Sequence, residues 1–218
     1  SGRVDDSRSI QIEYAGRPLP SLTRCWWTVQ VWDQAGRASA PSAPTSFVTG
    51  YRSPDDWTAH WIGRDTIAAG TEHVAPWFRT SFELPARPES AFAVVASLGY
   101  HELYVNGRRV GDAVLQPCTT DLSKRVRSVT YDVAPYLVPG RNVVALELGE
   151  GWSRFARYGR DQRPLLRAQL DMELARADGT SARRRIETDS TWRWCASART
   201  AIGGWEFGDY GGEELVVR

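Results

Sequence analysis

Short runs of β-branched and aromatic residues, each cut off by Gly, Pro, Asn or Asp, constrain this chain more than any other feature. A helix needs apolar residues at spacings of three and four over ten or more positions, and no stretch supplies them. A strand needs only alternation over a few residues between turn formers, and that pattern recurs throughout. The chain therefore reads as all-β. In residues 25–33, Trp26, Thr28, Gln30 and Trp32 alternate with Cys25, Trp27, Val29 and Val31. With tryptophans on both sides of this strand, at least one face is expected to be buried. It closes at Asp33-Gln34-Ala35-Gly36, a hairpin-like connection. A Ser/Ala/Pro-rich stretch, 38–44, leads to a strand at 45–49, and residues 9–14 read as another strand upstream, closed by Gly16-Arg17-Pro18.

Residues 52–56 form a polar linker containing Pro54, followed by a lead-in segment in which Trp57 and Trp61 read as anchors. Strands are expected at 77–84, 90–98, 100–105, 108–110, 126–133, 142–148, 165–175, 180–188 and 191–194. The run 90–98 is almost continuously apolar, as in a strand covered on both faces. Asn106-Gly107 is a strong hairpin signal, and Ala177-Asp178-Gly179 marks a second. Val138-Pro139-Gly140-Arg141-Asn142 is a turn. Roughly nine or ten strands in this block make a two-sheet sandwich of jelly-roll type.

Charge and cysteine usage narrow the function classes. Lys+Arg 27 against Asp+Glu 26 leave a net charge of +1, without the basic excess of a nucleic-acid binder. The longest apolar run, 91–99, is far short of the ~20 residues that span a bilayer as a helix, so no membrane partner is expected. Cys25, Cys118 and Cys195 show no metal spacing and are expected as three reduced, mostly buried thiols. The chain begins at Ser1, and nothing there reads as a signal peptide. The reading leans to a cytoplasmic setting, with secretion left open because a truncated start would have lost a leader.

Two resemblances rest on quoted residues. Thr23-Arg24-Cys25-Trp26-Trp27-Thr28-Val29-Gln30-Val31-Trp32-Asp33, then Gly36, Pro44 and Phe47-Val48-Thr49-Gly50, resemble the end of a fibronectin type III-like domain. Such a sandwich needs about seven strands over roughly 100 residues, so its N-terminal half is expected to be missing. Four further stretches stand in order after it. They are Asp56-Trp57-Thr58-Ala59-His60-Trp61-Ile62-Gly63 with Pro76-Trp77-Phe78-Arg79; Leu98-Gly99-Tyr100-His101-Glu102-Leu103-Tyr104-Val105-Asn106-Gly107 onward to Lys124-Arg125-Val126; Thr130-Tyr131-Asp132-Val133 to Leu148-Gly149-Glu150-Gly151-Trp152; and Tyr210-Gly211-Gly212-Glu213. Together they resemble the N-terminal accessory domain of bacterial α-L-rhamnosidases, glycoside hydrolase family 78. The resemblance implies a partial fibronectin type III-like sandwich at 1–50, a linker and lead-in at 51–63, and a galactose-binding-like jelly roll at 64–218. It also implies a parent enzyme that removes terminal α-L-rhamnose with inversion, through two carboxylates roughly 6.5–9.5 Å apart in a helical barrel. That barrel would follow Arg218 as the C-terminal catalytic partner, so this chain alone is expected to be inactive. One departure stands out: relatives commonly read Pro-Gly-Trp-Thr-Asp where this chain has Pro117-Cys118-Thr119-Thr120-Asp121.

No catalytic constellation is visible in the chain itself. His60, His73 and His101 share no metal spacing, His101-Glu102 lacks the second histidine of a zincin, and Gly149-Glu150-Gly151 lacks the setting of a dinucleotide loop. What remains is binding. No cofactor is required, but some related domains hold rhamnose through a calcium ion, which takes oxygen ligands from carboxylates and loop carbonyls. The resemblance implies rhamnoside contacts from Asn106, Asp112, Asp121, Glu150 and Trp152, with Asn106 and Asp121 facing the metal. Trp205, beside glycines, is a further candidate for stacking. The plain alternative stays open: Asn106 as a turn residue, Asp112 and Asp121 as turn caps, Trp152 as core. Three functions follow: a rhamnosidase accessory region that holds glycan, a docking domain without ligand, and a sugar-binding domain of a β-galactosidase-like enzyme. The Trp-x-Ala-x-Trp-Ile-Gly segment argues against the third.

Overall fold

The computed structural model describes residues 2, 4–8, 10–64, 75–149, 151–154, 164–201 and 213–215. It divides into two compact units, Ser1–Asp56 and Trp57–Arg218, with strands and short 3₁₀ turns and no α-helix among the described residues.

The first unit holds two strands, β1 (Arg24–Trp27) and β2 (Thr45–Val48), paired antiparallel. The expected strand over 25–33 ends early as a formal strand. Beyond Trp27 the chain still runs against 38–42, with a single bridge between Trp32 and Ala38. Here serine hydroxyls complete the pairing. Val29 N–H donates to Ser42 Oγ at 2.9 Å and Val31 N–H to Ser39 Oγ at 3.2 Å, while Ser42 and Ser39 N–H donate back to the carbonyls of Val29 and Val31. Residues 10–14, expected as a strand, pair with nothing as a strand. Nor is a tryptophan face buried: Trp26 is 68% exposed, Trp27 48% and Trp32 37%. Among the described residues this sheet has two strands, and alternation does not report what lies against its faces.

The second unit is a sandwich. Its elements are β3 (Pro76–Leu84), β4 (Ser90–Leu98), β5 (Tyr100–Val105), β6 (Arg108–Arg109), β7 (Ser128–Asp132), β8 (Gly140–Gly149), β9 (Leu165–Ala175), β10 (Ser181–Glu187) and β11 (Arg193–Ala196). Two short strands, β12 (Arg199–Ala201) and β13 (Glu213–Leu215), pair with each other. One sheet has the order β10-β9-β4-β7 and the other β11-β3-β8-β5-β6. Phe78, Phe82 and Leu84 of β3, Leu103 and Val105 of β5, and Leu146 and Leu148 of β8 meet Ala91, Ala93 and Val95 of β4 and Leu166, Leu170 and Met172 of β9 in one core.

The lead-in segment covers part of the outer side of the first sheet. Thr58 and Ala59 N–H both donate to Gln169 Oε1, at 2.9 and 3.1 Å, and Arg167 Nε donates to the Ala59 carbonyl at 2.8 Å. Ile62 and Leu166 then bridge antiparallel. Both outer and inner residues of β4 are buried, as its unbroken apolar run leads one to expect. Trp57 is held under the Arg167 guanidinium, 4.7 Å from its ring centroid, whereas its fellow anchor Trp61 is 41% exposed. The three cysteines are free, but Cys118 and Cys195 are exposed and Cys25 is half-buried, so the expectation of buried thiols fails. Among the described residues no helix is long and apolar enough to cross a membrane.

Candidate functional site

One end of the sandwich carries a hollow built on the β4–β5 turn. Ser97 is the penultimate residue of β4, and its hydroxyl donates to the Gly99 carbonyl at 2.9 Å, tightening the turn into Tyr100. Across β5, His101 N–H donates to the Gln116 carbonyl at 2.7 Å, which pins the following loop against the strand. That loop then passes through Pro117, Cys118, Thr119 and Thr120 opposite the Tyr100 ring. Together with Ser97 and Ser153 they line a shallow, open hollow. Thr119 Oγ1 lies 3.4 Å from the Tyr100 hydroxyl. The other side of the ring is fitted to Gly151, where a Cβ would come within 2.9 Å of it. Among the described residues its walls thus offer an aromatic ring and several hydroxyls.

Beneath it runs a buried polar chain. Tyr131 O–H lies 3.0 Å from His101 Nε2, and His101 Nδ1 lies 2.8 Å from Ser97 Oγ. Since Ser97 gives its own proton to Gly99, the consistent assignment has His101 donating from Nδ1 and accepting at Nε2. Burial holds His101 at a pKa of about 4, well below the usual histidine range, and pushes Tyr131 up to about 12. The imidazole is therefore neutral. Its serine is committed to a carbonyl, so the Ser–His contact orders the turn and does not make a nucleophile.

The residues expected to bind sugar or calcium are placed differently. Asn106 has φ 53° at the β5–β6 turn. Its Oδ1 accepts from Val143 N–H at 2.8 Å, and its Nδ2 donates to the Tyr136 carbonyl and to Asn142 Oδ1, each at 2.9 Å. Asp121 caps its own turn: Oδ1 accepts from Ser123 N–H and Oγ at 3.1 and 2.6 Å, and Lys124 lies 3.0 Å from Oδ2. The Ser123 hydroxyl and then the Lys124 ammonium hold this carboxyl below the usual range. Asp112 is exposed on the loop. Among the described residues no three His, Cys, Asp or Glu side chains gather to hold a metal. The side-chain oxygens of Asn106 and Asp121 thus take part in their own turns. Trp152 lies in the 3₁₀ turn Gly151–Arg154 with its side chain outside the described part, and Glu150 and Trp205 lie outside the described residues. Sequence reasoning missed Tyr100 and Ser97, because an aromatic at a strand start and a serine at a strand end look like ordinary sheet residues.

Residues 86–218 match the family profile described as alpha-L-rhamnosidase N-terminal domain, and residues 1–53 that of the Rha78A-like, N-terminal immunoglobulin domain. The chain belongs to the α-L-rhamnosidase N-terminal domain family. This rhamnosidase N-terminal region is 31% identical over 206 residues to an alpha-L-rhamnosidase of Formosa agariphila, covering 88% of this chain and 22% of that protein. It is 36% identical over 162 residues to one from Streptomyces avermitilis, covering 66% and 15%. Among solved structures, the alpha-L-rhamnosidase from Dictyoglumus thermophilum superposes with a TM-score of 0.71 at 32% identity, over 87% of this chain and 22% of that one. The chain thus spans about a fifth of the length of these relatives. The first block, expected to be fibronectin type III-like, matches an immunoglobulin profile, which belongs to the same class of two-sheet sandwiches.

Proposed function

We propose that this chain is a non-catalytic accessory region of an α-L-rhamnosidase, supporting the catalytic domain and holding a terminal rhamnosyl unit in the Tyr100 hollow. The family match over residues 86–218 carries the reading. The hollow supports its finer part: a neutral deoxy sugar offers C–H surface to a ring and hydroxyls to hydroxyls, and the walls supply both. Among the described lining residues, Tyr100 supplies the ring. The parent reaction, inverting hydrolysis of terminal α-L-rhamnosides, falls to a separate catalytic domain. Glu102 and Glu147 face each other across β5 and β8. Directly opposite residues stand only about 5 Å apart at Cβ, and each carboxylate is held by an arginine. A supporting role without any ligand is the second reading, favoured by the commitment of Asn106 and Asp121 to their turns.

Titration with L-rhamnose, followed by amide NMR shifts with and without calcium, tests both. The expected result is saturable shifts at Tyr100 and Thr119, indifferent to calcium and to Asp121→Ala, and weakened about tenfold by Tyr100→Ala. No shift at high rhamnose would leave only the supporting role. Turnover of an aryl rhamnoside by the purified chain would overturn the non-catalytic part.

A further inference from the structure

The five-stranded sheet turns Phe78 and Phe82 of β3 to the core, so Trp77 and Arg79 point outward. Register carries that outward row across the sheet. Arg193 of β11 lies opposite Arg79, Arg79 opposite Ala145 of β8, Ala145 opposite Tyr104 of β5, and Tyr104 opposite Arg109 of β6. The neighbouring row runs Cys195, Trp77, Glu147, Glu102. The rings of Trp77 and Tyr104 lie 5.1 Å apart, tilted by 52°, with only small Ala145 between their strands in the Tyr104 row. Both carboxylates have cations. Glu102 accepts from the Tyr104 hydroxyl at 2.7 Å and pairs with Arg109 at 3.1 Å, while Glu147 accepts from Ser197 Oγ at 2.6 Å and Arg199 Nε at 2.9 Å. Arg79 and Arg193 differ. Both are exposed, and neither has an ion pair or hydrogen bond to a side chain among the described residues. Like charges directly opposite on neighbouring strands work against the sheet, so folding gives no reason to keep the pair.

We propose that Arg79 and Arg193, with the Trp77–Tyr104 ring pair beside them, form a binding face for an acidic saccharide, a glycan chain carrying uronate carboxylates. The guanidinium fork matches a carboxylate bidentately. The ring pair supplies an apolar wall to the pyranose that bears it, which distinguishes a sugar from an acidic peptide. The proposal goes beyond the rhamnosyl hollow and uses none of its residues.

The test titrates the whole chain with tri-galacturonate by calorimetry, at low and at physiological salt, with maltotriose and a glutamate oligomer as controls. Tri-galacturonate is expected to bind, more weakly as salt rises, while maltotriose gives no heat. In the Arg79→Gln/Arg193→Gln variant, affinity for tri-galacturonate falls about tenfold or more, with Tm unchanged or raised because the repulsion is gone. Absence of tri-galacturonate binding would overturn the proposal. So would equal binding of the glutamate oligomer, which points to an acidic peptide, or a lowered Tm in the variant, which makes the arginines structural. A silent L-rhamnose titration bears on the Tyr100 hollow alone.

Discussion

At the scale of single residues, His101 is the group most shaped by its surroundings. It is 4% exposed, and the hydrogen bonds available to it suit the neutral ring. Its pKa of about 4 in the folded state lies below the ordinary 6.5, so between these values the unfolded chain binds more protons. Stability therefore rises with pH from about 4 to 6.5 and levels off above. The shift corresponds to roughly 3 kcal/mol lost at the acid end. Urea titrations at pH 4.5 and 7 are expected to show this loss in the parent and not in His101→Gln. An equal loss in both would remove His101 as the cause. Alternation with Leu103 and Val105 puts His101 on the inward face, but the sequence gives no sign of how deep it lies or that Ser97 and Tyr131 meet it. Asn106 was more legible, because an Asn-Gly pair between strands implies the left-handed turn that is observed. Its grip on Asn142 was not legible, as it joins residues 36 apart.

At the scale of elements, legibility follows how much of a strand's environment is encoded in itself. The ranges 90–98, 100–105 and 165–175 coincide with β4, β5 and β9, because their apolar patterns meet a core that exists. Residues 25–33 have an equally good pattern and only part of a strand; among the described residues they run against β2 and 38–42 alone. The fastening of the lead-in segment is a further element-scale feature that pattern reading cannot find. Gln169, 1% exposed, accepts from Thr58 and Ala59 and donates to Asp171 Oδ2 at 3.1 Å. Asp171 also receives Arg185 Nε at 2.8 Å. Gln169→Leu strands two backbone donors and removes one partner of a buried carboxylate. It is expected to cost about 2–4 kcal/mol, and hydrogen exchange at the Thr58 and Ala59 amides should quicken before that of β4. Unchanged exchange at those amides would show that the segment is held by something else.

For the whole molecule, the two units differ in kind. Among the described residues of Ser1–Asp56, Thr49 alone is buried, while the Trp57–Arg218 unit has a continuous apolar core. Conformational entropy opposes folding in both, and among the described residues the second shows the larger apolar burial to offset it. Urea titration followed by tryptophan fluorescence is accordingly expected to give two transitions, with Trp26, Trp27 and Trp32 changing first. A single transition would refute that separation. The family was legible because its motifs sit at hairpins and turns, where residue type is dictated by backbone geometry. The candidate site was not, because it is assembled from a strand start, a loop and a 3₁₀ turn that only the fold brings together. The order of pairing in the four-stranded sheet has its own consequence. β4 is flanked by β7 and β9, whose residues follow it by dozens of positions. On the ribosome, the most apolar of the described strands waits for β9 to be made before its second edge is closed. Synthesis thus passes through an interval in which β4 is an open template for other chains, and the rate of elongation past residue 175 sets how long that hazard lasts.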